Sequence, residues 1–254
     1  MTKVPDNRLA NRTVIVTGAG SGIGRATAIA FADAGANVLG VGRREVSLLK
    51  TASQHPAVAT FVADVCTDGA PEAVVAEAVR QWGTVDVLVN NAGAAAIVPL
   101  DDVTGARIAE LFALNVTAPS LLARAALPYL RDAHGSIVNV SSTFGHRPLP
   151  GGSHYAASKS AIESLTRSWA LELAGDGVKV NAVAPGPTES EALAAAGLPD
   201  DVVEKIKQDE TGQIPLGRRG RPEEIANWIV HLADPASTWL TGQILTVDGG
   251  LDLT

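Results

Sequence analysis

The residues whose types and spacing could do chemistry are a tyrosine and a lysine four positions apart, Tyr155 and Lys159. On a helix, positions i and i+4 share one face, so Lys159 would lie under Tyr155. Tyrosine, with a pKa of about 10, is a poor acid or base at neutral pH, but a fixed neighbouring cation lowers that pKa. The pair could then act as a general acid and base, with Ser142 upstream completing a proton-transfer site. An isolated pair of this spacing is more often a half-buried aromatic beside a solvated charge, so the rest of the chain has to decide.

Seven short apolar segments predict the strands that would position these groups. They are residues 13–17, 37–41, 60–62, 85–89, 136–140, 179–184 and 244–247. Helical patterns separate most of them, and near-continuous apolar strands alternating with helices are typical of a parallel sheet covered on both faces. Right-handed crossovers make this an α/β fold with a doubly wound parallel sheet of the Rossmann type, with about seven strands. Its ligand site is expected at the carboxyl ends of the strands.

A glycine-rich turn, Thr-Gly-Ala-Gly-Ser-Gly-Ile-Gly at 17–24, follows the first strand and opens a helix. Its backbone N–H groups and the positive helix end could face a pyrophosphate, and side chains larger than hydrogen would block that approach. The spacing Gly-x-x-x-Gly-x-Gly differs from the common Gly-x-Gly-x-x-Gly fingerprint. A turn that serves packing alone remains the alternative.

The end of the second strand bears on the choice of cofactor. A carboxylate there holds a ribose 2'-hydroxyl, whereas an arginine accommodates a 2'-phosphate. Gly42 occupies the acidic position and is followed by Arg43 and Arg44, which favours NADP(H). NAD(H) remains possible, because Glu45 is close and arginines on such loops are often merely solvated.

Composition limits the classes of protein. The 254 residues, 46% of them hydrophobic, suffice for a single domain over 1–254. A net charge of −7 gives no basic surface for nucleic acid or an anionic membrane, and Arg218, Arg219 and Arg221 are expected beside a helix start. The N-terminus is polar, so we expect a cytoplasmic protein. Cys66, the one cysteine, is expected to be a buried, inert thiol, and no metal site is predicted.

The segment 187–215 is broken by Gly197, Pro199 and Asp200, and it predicts a lid over the strand ends or, alternatively, a surface excursion. Five apolar residues would form its inner stripe. They are Leu193, Leu198, Val202, Val203 and Ile206. Three basic residues near the tyrosine could meet a polar or anionic substrate, although solvated loop positions are the more common role. They are His146, Arg147 and His154.

Taken together, the ordered motifs resemble the short-chain dehydrogenase/reductase family over nearly the whole chain. The motifs are 17–24, Asp64-Val65, Asn90-Asn91-Ala92-Gly93, Asn115, Ser142, Tyr155 with Lys159, and 185–188. The resemblance implies hydride exchange between a nicotinamide cofactor and a small carbonyl or alcohol substrate.

The resemblance also implies the catalytic roles. Tyr155 would be the proton donor and Ser142 would polarise the same substrate oxygen. Lys159 would lower the pKa of Tyr155 and hold the nicotinamide ribose, and Asn115 would hold a water in a proton relay. Ser142 is chosen over Ser141 because the family serine lies thirteen positions before its tyrosine.

Further residues are implied to hold the cofactor. The set is Gly18, Ser21, Gly22, Ile23, Gly24 and Arg43 at the phosphates; Asp64 and Val65 at the adenine; Asn91, Ala92 and Gly93 at the adenosine side; Tyr155 and Lys159 at the nicotinamide ribose; and Pro185, Gly186 and Thr188 at the carboxamide. Pro187-Thr188 stands where the family often has a bulkier apolar pair.

The predicted function is therefore NADP-dependent reduction of a ketone, or oxidation of a secondary alcohol, with tyrosine as general acid and base. A non-catalytic dinucleotide sensor or scaffold, an NAD-dependent alcohol dehydrogenase, and a sugar-nucleotide epimerase or dehydratase are the alternatives. The family resemblance also implies a homo-oligomer, with a tetramer favoured, whose faces come from helices in 108–130 and 156–173.

Overall fold

The computed structural model describes residues 7–189 and 200–254. Seven parallel strands form one sheet in the order β3-β2-β1-β4-β5-β6-β7. Their bounds are β1 Thr13–Thr17, β2 Asn37–Gly42, β3 Val58–Val62, β4 Val87–Asn90, β5 Ser136–Val140, β6 Lys179–Pro185 and β7 Ile244–Val247. The chain runs outward from β1 on one side and from β4 on the other, so the topological switch point lies between β1 and β4.

Eight helices are described between the strands. They are α1 Gly22–Asp33, α2 Glu45–Ala52, α3 Ala70–Trp82, α4 Gly105–Phe112, α5 Ala118–Asp132, α6 Ser153–Leu173, α7 Asp200–Gln213 and α8 Pro222–Ala233. Successive residues of a strand point to opposite faces of the sheet. Val14 and Val16 accordingly pack with α1 and α8, whereas Ile15 packs with α3, α5 and α6. The doubly wound sheet predicted from the sequence is confirmed.

One connection departs from regular α-helix in a way that concerns the site. Between α4 and α5 the chain forms a π-helical turn, Ala113–Thr117, which contains the buried Asn115. Such turns widen a helix locally, re-aim side chains and often occur at functional sites. The whole stretch Gly105–Asp132 is long and apolar enough, by length and composition alone, to cross a membrane. Its Leu122 and Leu130 are fully buried against the fold, and the core helix of a soluble protein passes the same test.

Two sequence predictions concern the periphery of the fold. Cys66 is exposed, not buried as predicted, because it lies in the turn after β3. Partial burial and the neighbouring Asp64 carboxylate raise the pKa of its thiol. Arg218 does lie beside a helix start, where its guanidinium donates to both oxygens of Glu224 in the first turn of α8 at 2.7 and 2.8 Å.

The described part of the predicted lid contains α7. Leu193 and Leu198 of the apolar stripe lie outside the described residues. Of the others, Val203 is buried, Ile206 is partly buried and Val202 is exposed, so they do not form one continuous inner face. The lid role remains a prediction.

Candidate active site

A cleft of about 380 Å³ opens at the switch point, at the carboxyl ends of β1, β2 and β4. Eleven of the predicted cofactor residues line it. They are Gly18, Ser21, Gly22, Ile23, Gly24, Arg43, Asp64, Val65, Asn91, Ala92 and Gly93. The crevice outside the strand ends at a switch point is where open α/β sheets bind ligands, so the cleft and the motif agree.

Two glycines of the turn that lines this cleft pack too closely on neighbouring protein atoms to carry a side chain. Gly18 has a φ of +69°, and a Cβ placed there would lie 2.7 Å from Asn91 Nδ2. A Cβ on Gly24 would collide with the carbonyl oxygen of Gly18. The N-terminus of α1 lines the cleft, and the side chain of Ser21 does not cap its N–H groups. This cradle fits the pyrophosphate of a dinucleotide.

Thr17 joins the glycine turn to the turn after β4, a role the sequence reasoning missed. Its hydroxyl accepts the backbone N–H groups of Asn91 and Ala92, each at 3.0 Å, and donates to Val89 O at 3.2 Å. Asn91 Nδ2 donates to Thr17 O at 2.7 Å. The position of Thr17 before the first glycine was the available signal, but only the pairing of β1 with β4 shows what its hydroxyl binds.

The end of the cleft near β2 carries positive charge. Arg43 and Arg44 both line it, and the Arg43 side chain is 72% exposed. Arg43 Nη1 lies 3.8 Å from Asp64 Oδ2, and Asp64 Oδ1 accepts the N–H of Cys66 at 3.0 Å. Ser47 and Leu114 line the cleft without having been predicted.

The four predicted catalytic residues come together beyond the inner end of this cleft. A Cβ placed on Gly93, which lines the cleft, would lie 3.2 Å from Asn115 Oδ1 and 3.3 Å from Lys159 Nζ. Ser142, at the end of β5, hydrogen-bonds to Tyr155. Residues from the ends of β4 and β5, the π-helical turn and the first two turns of α6 therefore share one place.

Hydrogen bonds hold Asn115 and Lys159 rigidly. Asn115 Oδ1 accepts Ala94 N at 3.0 Å, while its Nδ2 donates to Ala94 O at 3.0 Å and to Ser158 Oγ at 2.9 Å. The buried Lys159 donates from Nζ to Val140 O at 2.8 Å. Burial lowers the pKa of Lys159 from its ordinary value to about 8.

The structure reverses the predicted direction for Tyr155. Burial raises the pKa of its phenol above the ordinary value, and the hydrogen bond with Ser142 offsets this only in part. The Lys159 ammonium donates instead to the carbonyl oxygen of Val140 at 2.8 Å. Tyr155 is therefore a protonated phenol at neutral pH, the form that can give a proton to a substrate oxygen.

The remaining predicted cofactor residues lie outside the described cleft. Pro185 ends β6, and Gly186 packs so closely on Asp248 that a Cβ would lie 2.6 Å from its Cβ. Thr188 Oγ1 donates to Gly186 O at 2.9 Å, and the buried Arg219 donates from Nη2 to Thr188 O at 2.7 Å. Arg219, unremarked as a site residue in the sequence, thus fixes Thr188.

The three basic residues near Tyr155 have different roles. His146 and Arg147 bind other parts of the chain: His146 contacts Glu163, and Arg147 contacts the carbonyl of Leu251. His154 lines a small apolar recess with Ala96, Val98 and Ile108. Within residues 7–189 and 200–254, no group of His, Cys, Asp and Glu is arranged to hold a metal ion.

This fold and cleft define a Rossmann-type, dinucleotide-binding protein with a serine just after β5 and a tyrosine and a lysine on α6. A family model described as "Enoyl-(Acyl carrier protein) reductase" matches residues 18–252. The chain belongs to the short-chain dehydrogenase/reductase family, and it is an NAD(P)-dependent oxidoreductase acting on CH–OH or C=O groups.

Individual relatives agree with this assignment. The chain is 38% identical to the 3-oxoacyl-[acyl-carrier-protein] reductase of Thermotoga maritima, over 96% of this chain and 99% of the relative. It is 39% identical to the 2,3-dihydro-2,3-dihydroxybenzoate dehydrogenase of Escherichia coli, over 95% and 97% of the two chains. It also superposes, with a TM-score of 0.91 and 38% identity over 97% of each chain, on the crystal structure of a Caenorhabditis elegans short-chain dehydrogenase/reductase of unknown function with cofactor.

Proposed function

We propose that this enzyme uses NADPH to reduce a ketone to a secondary alcohol, or runs the reverse oxidation, with Tyr155 as the general acid and base. One observation carries the proposal: Ser142 hydrogen-bonds to Tyr155 beside Lys159 and Asn115, next to the glycine-lined cleft. The names of the two curated relatives give two different substrates, so they support the class of reaction and not a particular substrate.

Each of the four candidate catalytic residues has its own role in the reaction. The bound cofactor supplies or receives the hydride. Ser142 Oγ donates to the substrate oxygen and holds it beside the Tyr155 hydroxyl, which gives its proton as negative charge develops on that oxygen. Lys159, with a pKa of about 8, can return a proton to Tyr155 at neutral pH. Asn115, held by three hydrogen bonds, keeps the π-helical turn beside Lys159 and would hold the relay water there.

A carbonyl screen tests the reaction. Purified enzyme is incubated with NADPH and a panel of aliphatic, cyclic and aromatic ketones, and the loss of NADPH fluorescence is followed. We expect turnover with at least one ketone and none without a carbonyl compound. Cofactor binding without turnover on any ketone or secondary alcohol would instead favour a non-catalytic dinucleotide sensor.

The choice of NADP(H) rests on Arg43, which lines the cleft where β2 ends without a carboxylate at Gly42. We expect Arg43→Ala to weaken NADPH binding about tenfold, near 1.4 kcal/mol, because an exposed arginine–phosphate contact is screened by solvent. NADH binding should change little. Fluorescence titration of both cofactors measures this, with Arg80→Ala on α3, another exposed arginine, as control. Tighter binding of NADH, unaffected by Arg43→Ala, would reverse the cofactor preference.

We propose further that the enzyme is a cytoplasmic homo-oligomer, with a tetramer favoured. Exposed apolar side chains on the predicted faces support this: Leu171 on α6 is 85% exposed and Leu121 on α5 is 36% exposed. Light scattering at micromolar concentration should give four times the mass of one chain, and Leu171→Glu should lower it. A monomer at that concentration would contradict the proposal.

A further inference from the structure

A buried carboxylate next to the catalytic residues has no part in the mechanism above. Glu163 lies on α6, four residues after Lys159 and therefore on the same face of the helix, and is only 3% exposed. A buried carboxylate is costly unless its oxygens are hydrogen-bonded. The groups that bind it therefore show what it holds in place.

Two donors reach the same oxygen of Glu163. Ser141 Oγ donates to Oε1 at 2.9 Å, and His146 Nδ1 lies 3.0 Å from it. When Glu163 is ionised its carboxylate only accepts hydrogen bonds, and a protonated Nδ1 of His146 is then the donor in this contact. Between these donors the chain is tightly packed: a Cβ on Gly145 would collide with Glu163 Oε1 and lie 2.8 Å from Ser141 Oγ.

The two donors bracket the catalytic serine. Ser142 follows Ser141 directly, and its Oγ accepts the N–H of Phe144 at 3.2 Å while it hydrogen-bonds to Tyr155. Glu163 thus ties both ends of the segment 141–146 to the helix that carries Tyr155 and Lys159. A shift of about 1 Å in such a group can cost about a hundredfold in rate, so fixing this segment matters for the reaction.

Residues 246–252, the C-terminal segment, contact the other ring nitrogen of His146, Nε2. His146 Nε2 lies 3.5 Å from Asp252 Oδ2 and 3.3 Å from Thr246 Oγ1. Thr143 Oγ1 donates to Asp248 Oδ2 at 3.1 Å. The serine segment is therefore held from α6 on one side and from residues 246–252 on the other.

We propose that Glu163 is a positioning residue for Ser142: through Ser141 and His146 it fixes the 141–146 segment so that the serine hydroxyl meets Tyr155. The proposal rests on the proposed function, in which Ser142 and Tyr155 act on one substrate oxygen. His146 is the second member of this arrangement, which links the serine segment to the C-terminal segment.

A readout that needs no substrate tests the position of Ser142. The chain has two tyrosines, so in a Tyr129→Phe background the ultraviolet titration of phenolate reports Tyr155 alone. The Ser142 hydrogen bond lowers the pKa of Tyr155, so displacing Ser142 should raise that pKa. We expect an upward shift in Glu163→Gln and in Ser142→Ala. Glu172→Gln, an exposed glutamate on the same helix, should leave it unchanged.

Kinetics on a ketone found in the screen provide the second readout. Glutamine keeps an acceptor oxygen for both hydrogen bonds but loses the negative charge that strengthens them, so we expect Glu163→Gln to lower kcat about tenfold. KM and Kd for NADPH should stay at the wild-type values, because Glu163 does not line the cleft. His146→Ala should lower kcat similarly, and His146→Asn, which can offer an N–H near the position of Nδ1, should restore most of it.

The outcomes distinguish a failure of the Glu163 proposal from a failure of the proposed function. An unchanged Tyr155 pKa and kcat in Glu163→Gln would overturn the positioning role, as would a parallel loss of kcat, NADPH affinity and melting temperature. If Glu163→Gln does not fold, the two variants of His146 provide the test. Equal kcat in His146→Ala and His146→Asn refutes the proposal. Tyr155→Phe with normal turnover would refute the proposed acid instead, whatever Glu163 does.

Discussion

Replacing Tyr155 by phenylalanine is expected to lower kcat by about 10²–10⁴-fold, the usual contribution of a positioned general acid. The substitution removes only the hydroxyl that meets Ser142, so the ring still packs at the start of α6. NADPH affinity should remain close to that of the wild type, since the glycine-lined cleft is formed by other residues. Steady-state kinetics on a ketone from the screen, with fluorescence titration of NADPH, separate the two effects.

Tyr129→Phe is the matched control, because Tyr129 on α5 is the only other tyrosine in the chain. It should retain wild-type kcat. Turnover by Tyr155→Phe within a few-fold of the wild type would show that another group gives the proton.

Replacing Lys159 by methionine is expected to abolish turnover and, at the same time, to stabilise the fold at neutral pH. Lys159 is only 6% exposed, and burial lowers its pKa from 10.5 to about 8. That difference, about 2.5 pKa units, corresponds to about 3 kcal/mol of free energy that the folded protein loses by keeping the charge buried. Methionine removes this cost but leaves Val140 O without its donor, so we expect a net gain of about 1–2 kcal/mol.

The gain should depend on pH in a defined direction. Below about pH 8 Lys159 is protonated in both the folded and the unfolded chain, so the wild type bears the full cost of the buried charge. Between about pH 8 and 10.5 the unfolded chain binds more protons, and the stability of the wild type rises with pH. The advantage of Lys159→Met should therefore be full at pH 7 and shrink as the pH approaches 10.5.

Urea unfolding from pH 6 to 10 measures this difference, with Lys50→Met, an exposed lysine on α2, as control. The control should change the free energy of unfolding by less than about 0.5 kcal/mol at every pH. A Lys159→Met variant that is less stable than the wild type at pH 7 would show that the hydrogen bond to Val140 outweighs the cost of burying the charge.

Much of the fold could be predicted from local sequence, because strand and helix patterns are set by neighbouring side chains. Residues 13–17 and 136–140 were predicted as strands with the observed bounds. The strand predicted at 85–89 instead begins at Val87. The carboxylate of Asp86 accepts hydrogen bonds from Arg12 Nη1 at 2.5 Å and from Thr13 N at 2.8 Å. A contact across 73 positions cannot be recognised in a local apolar pattern.

The sequence by itself also pointed to the glycine turn and to Tyr155 with Lys159 as candidate site residues, since glycine spacing and the Tyr155–Lys159 interval depend on backbone geometry and helical period. Only the tertiary structure decided their chemical state. Tyr155 has a raised pKa because it is partly buried, Lys159 turns its ammonium to Val140 O, and Cys66 is exposed. The physical reason is that pKa and exposure depend on groups brought close by folding, and the distance along the chain does not reveal them.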